Sequence, residues 1–319
     1  MRTPLTCILI FLCGGISFAQ QAVPVSIVRR GGAKAPELTT ANFVASYKGK
    51  AVRVGSVSVD NSVRRIVLLL DVSDSMLGRN SEADWNFPLD VAKNLLTAMP
   101  SSSAIGLSAF GTELGHVISP TNDREKLQDE LEAVRKARWS FSKHDQPDTS
   151  IRDAVIAGAK LFDHPQLGDA MYIITDGIDN MSESGIEEVY EALACRGIRL
   201  FTFIVSARAD YRITSAASSG QRTMRDLSED TGGYSILELL PSGAPDHRRD
   251  FFDKSGKATT LGEALIFQYR AILDVYRLSV ELPEVRHKRQ DWRLDLSGLD
   301  TAAKNNLVLL YPKKFEFCD

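Results

Sequence analysis

The chain lacks an excess of either charge: 38 Lys and Arg face 41 Asp and Glu, for a formal net charge of -3. No block of lysine or arginine is long enough to overturn that balance, which argues against the basic field a general nucleic-acid binder carries. Cysteine is scarce, at four residues in 319, and two of them, Cys7 and Cys13, fall in an N-terminal leader. Cys195 and Cys318 remain. They either pair in an oxidising compartment and tie down the C-terminus, or stand as ordinary thiols. Long hydrophobic runs are missing after the leader, so no later stretch can span a bilayer. A Gly-rich P-loop, HExxH, a CxxC pair and GxSxG are also missing, which removes the common signatures of phosphate cradles, zinc sites and serine nucleophiles.

The leader itself, "MRTPLTCILIFLCGGISFAQQ", has a basic start at Arg2, an apolar run from Cys7 to Leu12 and small residues ending at Ala19. That is the layout of a secretory signal peptide cleaved near Ala19. A membrane anchor fits less well, because the run is short and is broken by Gly14 and Gly15. The mature chain is therefore expected to be exported and soluble, periplasmic or secreted, with no transmembrane segment.

What remains has an ordinary globular composition, 44% hydrophobic and 25% charged. "RRIVLLLD" reads as a fully buried strand, and strands then alternate with helices through "PLDVAKNLLTAM", "AIGLSAFG", "DREKLQDELEAVRKA", "SIRDAVIAGAKLF", "DAMYIITD", "SGIEEVYEALACRG", "IRLFTFIVS", "TMRDLSEDTGG" and "YSILEL". That alternation predicts an α/β domain with a doubly wound, mostly parallel sheet. Ser184 and Glu187 form the pattern of a capping box, and Gly197 suits the left-handed end of the same helix. The two ends of the chain are β-rich instead. Neither has enough strands to bury a core by itself, so the N- and C-terminal strands are expected to form one small β-sandwich into which the α/β domain is inserted. The predicted organisation is a signal peptide over 1–19, an N-terminal β segment over 20–61 and an α/β domain over 62–243. A loop and connecting helix follow over 244–273, and a C-terminal β segment over 274–319 pairs with the first.

The strand "RRIVLLLD" ends in "DVSDS", a cluster of oxygens where a buried strand would ordinarily turn. In a doubly wound sheet, ligands bind beyond the carboxyl ends of the strands. Three features fall on that edge: Asp71, Ser73 and Ser75, alternating along one loop; Thr149, just before a helix; and Asp176, followed by Gly177, at the end of "MYIITD". Two carboxylates and three hydroxyls form an all-oxygen set suited to a hard divalent cation. Helix capping by Asp71 and Ser75 is the simpler alternative, but it leaves Thr149 and Asp176 unexplained. Asp74 and Asp179 read as loop residues, and Asp145, Asp148 and His144 as solvated loop groups. "RHKR" at 286–289 reads as a polar hairpin tip.

Asp71-x-Ser73-x-Ser75, with Thr149 in "TSIRDAV" and Asp176 in "IITDGIDN", resembles the metal-ion-dependent adhesion site of von Willebrand factor type A (VWA) domains. The flanks resemble the exported bacterial VWFA-related family first described as an Acidobacterial domain, with Asn42-Phe43 where that family has Asp-Phe and with "YPKKFEFCD" departing from its closing motif. The resemblance implies that Ser73, Ser75 and Thr149 contact the metal and that Asp71 and Asp176 coordinate it directly or through water. Mg²⁺ is the expected ion, with Mn²⁺ or Ca²⁺ as alternatives, and an Asp or Glu carboxylate of a protein partner would complete the sphere. On this reading the chain is an exported protein-binding module and not an enzyme. Two other readings stand beside it: an assembly subunit whose β-sandwich makes the main contacts, and a metal-dependent phosphohydrolase with Asp71 as nucleophile. The last calls for an acid two residues on, where this chain has Ser73.

Overall fold

The computed structural model describes residues 18–30, 34–77, 82–141, 149–205, 215–239, 250–252, 258–283 and 290–315. Four strands lead: β1 (Phe18–Arg29), β2 (Phe43–Tyr47), β3 (Lys50–Val52) and β4 (Val54–Val59). An α/β run follows, with β5 (Arg65–Asp71), α1 (Asp74–Leu77), α2 (Glu82–Ala98), β6 (Ala104–Phe110), β7 (Leu114–Thr121) and α3 (Arg124–Phe141). It continues through α4 (Ile151–Ala159), β8 (Ala170–Thr175), α5 (Ile186–Ala194), β9 (Arg199–Ile204), α6 (Ser215–Asp230) and β10 (Ser235–Leu239). Two short strands, β11 (Asp250–Phe252) and β12 (Ala258–Thr259), precede α7 (Leu261–Leu273). The chain closes with β13 (Val275–Pro283), β14 (Gln290–Leu296), α8 (Thr301–Asn305), β15 (Leu307–Leu310) and β16 (Lys314–Phe315).

The central sheet runs β12-β11-β10-β9-β8-β5-β6-β7. It is parallel from β10 through β6 and antiparallel at both edges. β5 holds the middle because it is apolar on both faces: Ile66, Leu68 and Leu70 enter one core, Val67 and Leu69 the other. Leu95 of α2, Leu127 of α3 and Leu265 of α7 fill the first core. Val155 of α4, Val189 of α5 and Met224 of α6 fill the second.

The terminal strands form two further sheets, ordered β15-β1-β13-β4 and β16-β14-β2-β3. β1 pairs antiparallel with β13 from Phe18↔Pro283 to Ser26↔Val275, and β2 pairs antiparallel with β14. Their inner faces meet in a shared core, with Val25, Ile27 and Leu278 on one side and Tyr47, Trp292 and Leu294 on the other. The α/β domain is thus inserted into a small β-sandwich. Among the described residues, no helix is long and apolar enough to cross a membrane.

Three local details differ from the sequence reading. α2 begins at Glu82, ahead of Pro88, which sits inside the helix. Proline ordinarily marks a first helical position, but here Trp85 is fully buried and Phe87 packs near Phe203 and Phe251, with ring centroids 5.9 and 6.2 Å away. Burying those rings offsets the one backbone bond that proline removes. The cap of α5 lies one residue later than Ser184 and Glu187 suggest: the N-cap is Gly185, whose N–H donates to the Glu188 carboxylate. Ser184 instead gives its N–H to Asp153 Oδ1 at 3.0 Å. Third, the segment read as loop and helix contributes β11 and β12 to the sheet. Gly197 does adopt a left-handed conformation, at φ 63°. Cys195, at the C-cap of α5, is disulfide-bonded, whereas Cys318 lies outside the described residues.

Buried charge joins the sandwich to the α/β domain. Arg199, at the start of β9, is fully buried, and its guanidinium donates to Ser26 Oγ at 2.7 Å and to the carbonyls of Ala271 (2.9 Å), Gly168 (3.1 Å) and Ile272 (3.2 Å). Burial, together with the nearby charge of Arg64, pulls its pKa down to about 9, while Asp169 and Asp60 act the other way. Beside it, Arg64 donates to Asp60 Oδ2 at 3.2 Å, and Ser62 gives both its N–H and its hydroxyl to Asp60 Oδ1. Burial works to raise the Asp60 pKa, but the Ser62 bonds and Arg64 hold it below the usual carboxylate value. A carboxylate with a lowered folded pKa stabilises the fold fully above its unfolded value, and that contribution is lost as pH falls through the folded value. Asp60→Asn is therefore expected to lower the urea midpoint clearly near pH 7 and much less near pH 3. An equal gap at both pH values would rule out this role for the carboxylate.

Candidate metal centre

β5 and β8 are parallel neighbours in the sheet, so their carboxyl ends bring Asp71 and Asp176 to one edge. Asp71 closes β5 and is fully buried. Its Oδ1 accepts the Ser73 N–H at 2.9 Å, which turns the loop, and its Oδ2 accepts the Thr175 hydroxyl at 2.6 Å. Thr175 Oγ1 in turn accepts the Gly177 N–H at 3.0 Å. Gly177 has φ 82°, a left-handed turn that suits glycine. Asp176 Oδ1 accepts the Ile178 N–H at 2.9 Å, and the Ser75 hydroxyl also bonds this carboxylate. Ser73 Oγ and Ser75 Oγ lie 3.0 Å apart. The first and third loops are therefore joined by hydrogen bonds through four of the five residues picked from sequence.

Thr149 enters from the other side, one residue before the α4 N-cap, Ser150. Its N–H donates to Asn180 Oδ1 at 2.7 Å, and its carbonyl accepts the N–H groups of Asn180 and Met181 at 3.1 Å each. The Ser150 N–H donates to Gly111 O at 2.9 Å, fixing this loop to the end of β6. Asp179, four residues before Glu183, binds Arg152 Nε at 2.9 Å and the Ser182 hydroxyl at 2.9 Å, so it is a structural clamp. Asp153 receives the N–H groups of Glu183 and Ser184 in the same way. His144, Asp145, Asp148 and the 286–289 segment lie outside the described residues.

The electrostatics of this edge are unfavourable as they stand. Burial raises the Asp71 pKa to about 7, and the charge of Asp176 adds to that. Burial also raises Asp176, against the bonds from Ile178 and Ser75. Among the buried side-chain atoms of the described residues that lack a hydrogen-bond partner, two lie at this edge, Thr149 Oγ1 and Asp176 Oδ2, each on a residue 1% exposed. A buried acceptor left unsatisfied costs roughly 1–3 kcal/mol, more when it is charged. A hard cation is the group that satisfies both oxygens and both carboxylates together, so the residues present fit one. The donor set is all oxygen, as Mg²⁺, Mn²⁺ and Ca²⁺ require. Among the described residues there is no cluster of three or more His, Cys, Asp or Glu that would compete for a metal.

A family model for the von Willebrand factor type A domain matches residues 66–232. The chain belongs to this family. The matched span runs from β5 past the end of α6 and includes Asp71, Ser73, Ser75, Thr149 and Asp176. VWA domains commonly take part in protein–protein interaction and are generally interaction modules rather than enzymes. A search of curated proteins finds no match. Among solved structures, BatB from Bacteroides thetaiotaomicron is 21% identical over 66% of this chain and 87% of its own, with a TM-score of 0.37. An aerotolerance-related membrane protein from Bacteroides fragilis NCTC 9343 is 22% identical over 66% of this chain and 88% of its own, with a TM-score of 0.34. A von Willebrand factor type A protein from Catenulispora acidiphila is 12% identical over 93% of this chain and 74% of its own, with a TM-score of 0.35.

Sequence reasoning passed over Thr175, Asn180 and Gly220 of the VWA domain. Thr175 is the residue before Asp176, and strand alternation points neighbours to opposite faces, so nothing local pairs it with Asp71. Asn180 looks like any Asx residue in a turn. Gly220 lies inside α6, where a Cβ would stand 1.8 Å from Gly177 O. Only a glycine lets the helix back onto the turn after Asp176.

Proposed function

We propose that this VWA protein is an exported, divalent-metal-dependent protein-binding module whose metal is completed by a partner's Asp or Glu carboxylate. The observation that carries the reading is the pair of buried, unpartnered oxygens, Thr149 Oγ1 and Asp176 Oδ2, on the sheet edge where Asp71 also ends its strand. Asp71, Ser73, Ser75, Thr149 and Asp176 would hold the ion, with Mg²⁺ the first choice and Mn²⁺ or Ca²⁺ next. The bound ion would supply a Lewis acid that an incoming carboxylate can complete. Three of the five donors are neutral hydroxyls, so the ion keeps its attraction for an anionic partner wherever Asp71 or Asp176 reaches it through water rather than directly. Two observations favour binding over turnover: the Asp71 carboxylate is occupied by Ser73 and Thr175, and Ser73 stands where a phosphohydrolase of this pattern carries its acid. Export rests on the sequence of the leader, residues 1–19, the last two of which, Phe18 and Ala19, also open β1.

The test is thermal. A ligand at 100 times its Kd stabilises a fold by about 2.7 kcal/mol, and for a chain of this size that is a rise of roughly 4 °C. Mg²⁺ or Mn²⁺ should produce such a rise over chelator-treated protein. Asp71→Asn should remove the rise while leaving the chelator-treated melting temperature close to wild type, because one of two crowded charges has gone. A melting curve indifferent to both metal and chelator would defeat the proposal.

A further inference from the structure

Asn180 is outside the ligand set, yet it controls the one donor that no other site residue touches. Its Oδ1 accepts the Thr149 N–H at 2.7 Å, and its own N–H, with that of Met181, donates to the Thr149 carbonyl at 3.1 Å. Both polar groups of the Thr149 backbone are thus held by the loop that carries Asp176. The Thr149 hydroxyl has no partner and is buried, so its direction follows from the backbone beneath it. The first turn of α4 has separate clamps: Arg152 to Asp179, and the Glu183 and Ser184 N–H groups to Asp153. Removing the Asn180 side chain therefore takes away the acceptor of the Thr149 N–H while the backbone bonds to its carbonyl and the clamps on the helix stay in place. Partners of this kind commonly change metal affinity by 10–100-fold when lost.

We infer that Asn180 is a positioning residue for cation binding: it fixes Thr149 so that Oγ1 is aimed into the site before the ion arrives. The inference rests on the metal-binding reading above. Three measurements on the full chain test it, made on wild type, Asn180→Ala, Asn180→Asp and Asp153→Asn. They are the Mg²⁺ and Mn²⁺ Kd by calorimetry, hydrogen exchange of the Thr149 amide in chelator, and the melting temperature in chelator. In Asn180→Ala the Thr149 amide should exchange at least about tenfold faster and the Kd should weaken by about 10–100-fold, with little change in the chelator-treated melting temperature. Asn180→Asp keeps the accepting oxygen, so it should recover slow exchange and a Kd at or below that of wild type. Asp153→Asn loosens the neighbouring clamp and should leave the Kd within about twofold, a shift too small for a lost positioning contact. An unchanged Kd in Asn180→Ala, or an Asn180→Asp variant as weak as the alanine, overturns the inference while the metal site stands. A wild-type chain that binds neither ion overturns both. The exchange measurement, made without metal, then shows whether Asn180 still fixes Thr149.

Discussion

Arg199→Ala should destabilise the chain by about 3 kcal/mol or more, because it leaves several buried acceptors without a donor at roughly 1–3 kcal/mol each. The size follows from how many groups the guanidinium serves. It reaches Ser26 of β1, the carbonyl of Gly168 ahead of β8, and the carbonyls of Ala271 and Ile272 at the end of α7. The last two are helix-terminal carbonyls with no intrahelical donor, on residues fully buried in the core. The guanidinium carbon also lies 5.3 Å from the Phe201 ring centroid, two residues along the same face of β9. One side chain therefore ties the α/β domain to the sandwich and to the helix between them. Lysine at this position should recover only a small part of the loss, because an ammonium offers a point charge where four acceptors surround a planar fork. Urea unfolding followed by tryptophan fluorescence measures the loss, and a change below about 1 kcal/mol, the level of an ordinary substitution, would contradict the argument. The metal-induced rise in melting temperature should persist in any Arg199 variant that still folds. Arg199 opens β9, whereas Asp71 closes β5 and Asp176 follows β8, at the opposite ends of the strands.

How far these features could be read from sequence depends on how local their causes are. β5 was visible because burial on both faces writes a continuous apolar run, and Asp71 was visible because it breaks that run abruptly. Asp176 could be joined to it because a parallel sheet sends the ends of its strands to one edge, whatever their separation in the chain, and Thr149 through its place just before a helix. The start of α2 was misread because Pro88 is a strong local signal. The burial of Trp85 and the packing of the half-buried Phe87, a tertiary effect, overrode it. The α5 cap slipped by one residue for the same reason: Asp153, from another helix, takes the Ser184 N–H that a local box would have used. Arg199 gave no sign at all. An arginine at the head of an apolar strand ordinarily reads as a solvated end, and only the meeting of β1, α7 and β9 buries it. Thr175 and Asn180 were likewise invisible, since each acts on a residue brought near by the fold.

The helix α6 supplies the sharpest separation of metal binding from stability. A Cβ at Gly220 would lie 1.8 Å from Gly177 O and 2.9 Å from Gly177 C. A Cβ at Gly233 would lie 1.8 Å from Leu200 O and 2.5 Å from Leu200 C. Neither clash can be relieved by turning a side chain, so in each case backbone must move, and overpacking of this kind costs about 1–3 kcal/mol or more. Gly220→Ala and Gly233→Ala should therefore both lower the melting temperature in chelator. Their effects on the ion should differ. Gly177 follows Asp176 directly, and Gln221, next to Gly220, donates its Nε2 to Asp176 O at 3.2 Å. Pushing α6 off Gly177 displaces the turn that aims the Asp176 carboxylate, so Gly220→Ala should weaken Mg²⁺ or Mn²⁺ binding by at least about tenfold, as a lost supporting contact does. Gly233 instead presses on Leu200, near the start of β9 and remote from the strand ends that carry the oxygens. Its alanine variant should bind the ion within about twofold of wild type, at temperatures where it remains folded. Equal weakening in the two variants would mean that affinity merely follows global stability, and the structural link from α6 to the Asp176 turn would have to be abandoned.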